Sequence, residues 1–206
     1  MKKTVTILAA ILLCLAGTLP VRGQQGGDDA RIEAIIRACG DMKSMKCEFT
    51  QTKRVPLMEG DQISKGNMLY FSPSRLKWAY TEPFAYSFRA DGETLTVDSD
   101  GSHSEIGGEG NRMFQGIAGV MMGCMSGQCL KDSRMFKVSM SDADGRWVAA
   151  MVPVRRDMKK MFQQITLSFS SSTGLLERID MIEAGGGSTV IEISNVQLNG
   201  DYAAEW

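Results

Sequence analysis

Histidine is the chain's sharpest scarcity: His103 is the only one in 206 residues. A Ser-His-Asp triad, a Cys-His dyad and a multi-histidine metal site would all need it. Its polar, turn-like neighbourhood recommends it for none of them. Carboxylates are scattered, with no pair that folding must bring together for acid–base work. Charge of one sign is also lacking, with 23 basic against 24 acidic side chains. That balance gives no field suited to nucleic acid. Gly107-Gly108-Glu109-Gly110 lacks the Gly-Lys-Ser/Thr ending of a phosphate-binding loop and reads as a connector. Cys39 and Cys47 are separated by seven residues, and Cys124 and Cys129 by four, rather than the two of a zinc site. The expectation is a non-enzyme with no metal and no cofactor. No internal repeat recurs at a fixed period.

Long apolar runs are missing too. The longest, Val5 to Leu15, is too short to cross a bilayer. It follows Lys2-Lys3 and precedes Gly17 to Gly23, the layout of a secretory leader cleaved after Gly23. Cys14 lies within the apolar run behind Leu12-Leu13, so a lipidated N-terminus is not expected. Residues 1–23 are therefore read as the leader and 24–206 as one exported domain, long enough for a sizeable core. Cys39, Cys47, Cys124 and Cys129 remain, an even number that suits an oxidising compartment. Three disulfide connectivities are open. The local one, Cys39–Cys47 with Cys124–Cys129, is the expected choice.

What the chain does have is strand-like alternation. Apolar residues recur with period two near 45–54, 62–71, 75–81, 84–90 and 93–98, and again near 135–141, 146–153, 162–170, 175–184 and 188–198. Asp91-Gly92, Asp144-Gly145, Thr173-Gly174 and Asn199-Gly200 supply turns. Two stretches have helical spacing instead. In residues 28–39, Ile32, Ile35, Ile36 and Cys39 share a face, with Asp28-Asp29 ahead and Gly40 as a stop. In 111–123 the apolar side holds Met113, Phe114, Ile117, Val120 and Met121. About ten strands in meander order form a sheet large and twisted enough to curl, and two helices can cap its mouth.

The alternation sorts the side chains. Leu76, Trp78 and Tyr80 share one face of the third strand and Arg75, Lys77 and Ala79 the other; Met45, Cys47 and Phe49 line up likewise on the first. With Met68, Leu95 and Val97 they are assigned to an apolar cavity, since acyl chains carry no directional polar groups and need a deformable apolar receptor. Ile32, Ile35, Ile36, Phe114, Ile117 and Met121 are assigned to its lid. Fourteen methionines beyond the initiator fit either a binding surface that moulds to its partner or an irregular core. In an open cavity, Trp78→Glu would leave the protein folded.

One block is more specific: Phe49-Thr50-Gln51 after a first helix, Gly66, Pro73 ahead of Lys77-Trp78, then Tyr80, Pro83 and the Asp91-Gly92 turn. In order and spacing it resembles the LolA-type periplasmic carriers of outer-membrane lipoproteins. The resemblance runs over residues 30–98 and weakens, by strand order, to the C-terminus. It implies a mainly β fold, an unclosed antiparallel barrel with a helical lid. It also implies a monomeric periplasmic carrier that takes acylated lipoproteins from an inner-membrane exporter to an outer-membrane acceptor. Better-known carriers place a basic residue before the proline matching Pro73, where it helps latch the lid; here Ser72 stands there, so the latch must differ or be absent. A carrier of a glycolipid or another amphiphile is the alternative, and a hydrolase a more distant one.

Overall fold

The computed structural model describes residues 23–92, 94–99, 101–105 and 118–206. The expected leader up to residue 22 lies outside them, as do Met113, Phe114 and Ile117 of the expected second helix. Eleven antiparallel strands form one sheet. On the N-terminal side are β1 (Ser44–Arg54), β2 (Gln62–Phe71), β3 (Arg75–Glu82), β4 (Tyr86–Asp91), β5 (Thr94–Ser99) and β6 (Ser102–Glu105). On the C-terminal side are β7 (Phe136–Ala143), β8 (Arg146–Pro153), β9 (Phe162–Ser170), β10 (Leu176–Glu183) and β11 (Ser188–Leu198).

Ten of these strands fall where alternation predicted them. β6 went unpredicted because Ser-His-Ser-Glu carries no apolar period. His103 thus lies on a strand, its Nδ1 2.5 Å from Asp98 Oδ1. That hydrogen bond, with Arg89 nearby, holds the Asp98 carboxyl below its usual range.

The meander order needs correction. The order across the sheet is β6-β5-β4-β3-β2-β1-β11-β10-β9-β8-β7, so β1 pairs with β11 at the centre while β6 and β7 form the edges. Hairpins set each neighbour pair, but only a long-range contact can seat the first strand beside the last. Leu76 of β3 and Met151 of β8 belong to one buried core. Five strands lie between them, which in a flat sheet would separate them by about 29 Å. The sheet is therefore curled, and among the described residues no pairing closes it.

Helix α1 (Gly23–Gly40) begins well before the expected Asp28. Asp28 and Asp29 consequently lie past its first turn and do not cap it. Asp28 instead approaches Arg31 at 3.5 Å and accepts the backbone N–H of Met140 on edge strand β7 at 3.4 Å. That contact blunts an edge which could otherwise pair with another chain. Helix α2 is described over 118–125, and α3 (Arg156–Met161) precedes β9. α3 was not foreseen, since six residues with two methionines are too short to show a period.

The concave face and its helical cover

Strand register turns the alternation into rows. Cys47, Met68, Trp78, Phe88 and Val97 lie side by side across β1 to β5. A second row runs Met45, Tyr70, Leu76, Ala90 and Leu95; a third runs Phe49, Gly66, Tyr80 and Tyr86. Rings meet along these rows. Phe49 and Trp78 have centroids 4.3 Å apart, Tyr80 stacks on Tyr86 at 4.5 Å, and Trp78 lies parallel to Phe88 at 6.3 Å. The Phe49 ring lies over Gly66, where an added Cβ would come within 2.6 Å of the ring and 2.0 Å of the Ala79 carbonyl oxygen. Only glycine fits that point, which explains its place in the motif.

The structure brings the predicted cavity residues together but buries them. Met45, Phe49, Met68, Leu76, Trp78 and Leu95 are at most 4% exposed, while Tyr80 and Val97 are half-buried. Of the residues assigned to the lid, Ile35 and Met121 are buried in the same core and Ile32 and Ile36 are half-buried. Phe114 and Ile117 are outside the described residues. The concave face is thus a filled core under its helices, and the expectation of an open cavity at Trp78 is corrected accordingly. Apolar surface this extensive would not stay exposed to water, so the helices of the same chain cover it. Met42, Met45, Met68, Met121 and Met125 all belong to this core.

The interior has few polar groups. Tyr80 donates its hydroxyl to Gln51 Oε1 at 3.0 Å, and burial raises its pKa well above the usual phenol value. Trp78 Nε1 is buried without a hydrogen-bond partner. Neither group forms a reactive constellation, and among the described residues no cluster of three His, Cys, Asp or Glu could hold a metal ion.

The four cysteines among the described residues, Cys39, Cys47, Cys124 and Cys129, are buried free thiols. Cys129 and Cys124 have sulfurs 3.7 Å apart, whereas the Cys39 thiol points to the Gly174 carbonyl at 3.9 Å. Burial pushes the Cys39 thiol up to about 11 and the Cys47 thiol up to about 12.

The cover is held at its margins. α1 packs on the β9–β10 turn at Gly174, where a Cβ would stand 2.6 Å from Ala38 Cβ, and that glycine has φ +72°. Arg31 pairs with Asp142 on β7, and Glu33 reaches Lys131 at 2.5 Å. These ion pairs join α1 to β7 and to the turn at 128–131, far in sequence from Ser72. α2 crosses to the other side of the face, where Ala118 packs on Ala90 and Leu95. Cavities remain at the lid margin. One of about 590 Å³ is lined by Asp28, Ile32, Leu130, Phe136 and Met140, and another of about 360 Å³ by Val120, Cys129, Met135 and Phe136.

Sequence reasoning missed the other side of the face. Ile165, Leu167 and Phe169 of β9 and Ile179 of β10 are as buried as Trp78. Their strands were identified, but nothing local shows that they face the same interior as β1–β5.

The fold is thus a curled sheet, unclosed among the described residues, whose apolar concave face is covered by helices of the same chain. A family model described as "Outer membrane lipoprotein carrier protein LolA" matches residues 40–206, and the chain belongs to that family. Among its relatives is an outer-membrane lipoprotein carrier protein of Methylibium petroleiphilum, 22% identical over 175 residues, covering 84% of this chain and 82% of the relative. One from Bordetella avium is 26% identical over 193 residues, 93% of this chain and 85% of its own. Among solved structures, lipoprotein LppX of Mycobacterium tuberculosis aligns with a TM-score of 0.49 at 16% identity, over 85% of this chain and 99% of its own. No helix among the described residues is long and apolar enough to cross a membrane.

Proposed function

We propose that this protein is a periplasmic, monomeric carrier that shields the acyl chains of lipoproteins between an inner-membrane exporter and an outer-membrane acceptor. The observation that carries the reading is the three-row apolar face beneath helices held by exposed ion pairs. Cargo would displace α1 and α2, and its acyl chains would take over the contacts these helices now make. Exchange of one apolar partner for another costs little net burial, so loading and release need no cofactor in the protein itself.

Native mass spectrometry of protein purified from the periplasm tests this. A co-purifying lipoprotein, or another acylated molecule, is the expected result. A protein that is consistently empty, and that takes no acylated lipoprotein from donor membranes, would sink the reading. Recovery of a glycolipid would instead assign the alternative cargo.

Export also bears on the cysteines. In an oxidising compartment the Cys124–Cys129 pair would close across α2 and the turn that follows it, stabilising by about 2 kcal/mol through restriction of the unfolded chain. Thiol counting under denaturing, non-reducing conditions should then find at most two free thiols, Cys39 and Cys47, and none if the expected Cys39–Cys47 bond closes as well. Four reactive thiols would refute the bond.

A further inference from the structure

Nine large apolar side chains are exposed among the described residues, and strand register places eight at one end of the sheet. The β1–β2 hairpin presents Leu57 at 106% and Met58 at 54%, with Ile63 beside Thr52 just below the tip. The β3–β4 turn presents Phe84 at 77%, next to Tyr86, the last residue paired with β3. Ile182 lies one residue from the end of β10, and Val152 and Val154 flank the end of β8 on the same side. Only Leu198 lies at the opposite end, whose turns are built from Ser72-Pro73-Ser74, Asp144-Gly145 and Ser171-Ser172-Thr173.

Contacts join the β10–β11 turn to its neighbours on this rim. Gly186 of the β10–β11 turn comes up against Pro56 of the β1–β2 hairpin, and the Ala184 N–H donates to the Met161 carbonyl of α3 at 2.9 Å. α3 buries Met158 and turns Arg156, Lys159 and Lys160 outward. Arg155 is paired with Asp157, and Arg54 with Asp61, but among the described residues those three cations have no acidic partner. Along this stretch (53–65, 82–86, 152–163 and 182–188), seven cations face five carboxylates, although the chain as a whole carries a net charge of −1.

Single exposed apolar residues need no explanation, but eight gathered on one rim do. Leu57 and Phe84 project from separate turns and do not form one flat patch. That shape suits insertion between lipid headgroups better than a close fit to a protein. The unpaired cations beside them complement phosphate. We propose that this rim docks on the surface of an anionic phospholipid bilayer, with Leu57 and Phe84 entering the interface and α3 supplying charge. The inference rests on the rim alone and holds whatever the concave face carries.

Flotation with vesicles of phosphatidylcholine alone, and of phosphatidylcholine with 30% phosphatidylglycerol, tests it using the full mature chain. Wild type should float with the anionic vesicles, less with the neutral ones, and less as salt rises. The double variant Leu57→Ser/Phe84→Ser should lower binding roughly tenfold or more. Lys159→Glu/Lys160→Glu should remove the preference for anionic lipid. Leu198→Ser, at the other end, should change nothing. All are surface positions, so circular dichroism should be unaltered. No flotation of wild type, or flotation indifferent to both double variants, would overturn the proposal. So would binding of the rim to an acceptor protein without any to bare vesicles. Acyl-probe loading, read in parallel, separates the two proposals: docking without loading would refute the carrier and leave the rim standing.

Discussion

Strands β1–β4 line the concave face with rings that support one another, whereas the central rows of β7–β11 contain none. On the first side Phe49, Trp78, Tyr80, Tyr86 and Phe88 stand in mutual contact. On the second, one row runs Met140, Ala149, Leu167, Ile179 and Ile191, and the next runs Val138, Met151, Ile165 and Met181. The covering helices divide along the same line. α1 is tied to the second side through Gly174 and Asp142, and α2 reaches the first through Ala118. Aromatic neighbours gain edge and stacking contacts beyond their buried area, so the first side is stiff on its own account. Aliphatic rows gain mainly from burial and depend on what covers them. Under the proposed carrier function the ring side would serve as the wall, and the other side, whose Trp147 and Phe169 lie in a row outside the central two, as the seat of the cover.

Introducing a charge into the ring wall should have the largest effect. Trp78 is 2% exposed, and Trp78→Glu would bury an unpaired carboxylate at a cost of several kcal/mol, enough to unfold a domain of ordinary stability. A thermal melt should show no cooperative transition near that of wild type. A folded variant would mean that this wall opens more readily than the ring contacts allow.

A pair of glycine substitutions sharpens the contrast. Gly66→Ala should cost about 3 kcal/mol, because its Cβ meets the backbone carbonyl of Ala79, which cannot step aside. Gly174→Ala meets the Cβ of Ala38 on α1, at a backbone φ that disfavours alanine, and should cost about 1–3 kcal/mol. Hydrogen exchange distinguishes the two. Gly66→Ala should weaken protection across β1–β3, and Gly174→Ala should weaken it chiefly in α1. The same pattern in both variants would erase the distinction between wall and cover.

Alkaline pH probes one thiol from each region, Cys47 on β1 and Cys39 on α1. Both are held neutral by burial, at about 12 and about 11, against an ordinary value of 9.0 for the unfolded chain. Stability should be flat below pH 9. It should then fall by about 1 kcal/mol per pH unit for each thiol, until the folded-state value is reached. Denaturant midpoints from pH 8 to 11 measure this, and Cys47→Ala should remove its share of the slope.

The smallest effect on stability is expected at the ion pair proposed as a latch. Arg31→Gln breaks a partly exposed pair with Asp142 and should cost less than about 1 kcal/mol. Under the proposed carrier function it should nevertheless speed uptake of a fluorescent acyl probe. Unchanged uptake would remove Arg31 from the latch.

Much of this architecture was legible along the chain. Period-two alternation located ten strands, Asp144-Gly145 marked a hairpin whose two turn residues both have positive φ, and the Ile32-Ile35-Ile36 stripe marked the covering helix. Each is a local signal, set by side-chain spacing and by the few residues that tolerate a turn. The same alternation put Leu76, Trp78 and Tyr80 on one face but could not say whether that face is open or filled, because burial depends on what packs against it.

Contacts distant in sequence decided the rest. β1 beside β11, β6 and β7 left as edges, Trp78 roofed by α1 and α2, and Arg31 on Asp142 all join residues that no local pattern relates. The sequence by itself determined that the chain makes amphipathic strands with one apolar face and helices able to cover it, since those follow from residue periodicity. Only the tertiary structure decided that the sheet stays unclosed, that its own helices fill it, and that one rim gathers the exposed apolar tips. Those outcomes depend on pairing and packing across the whole chain.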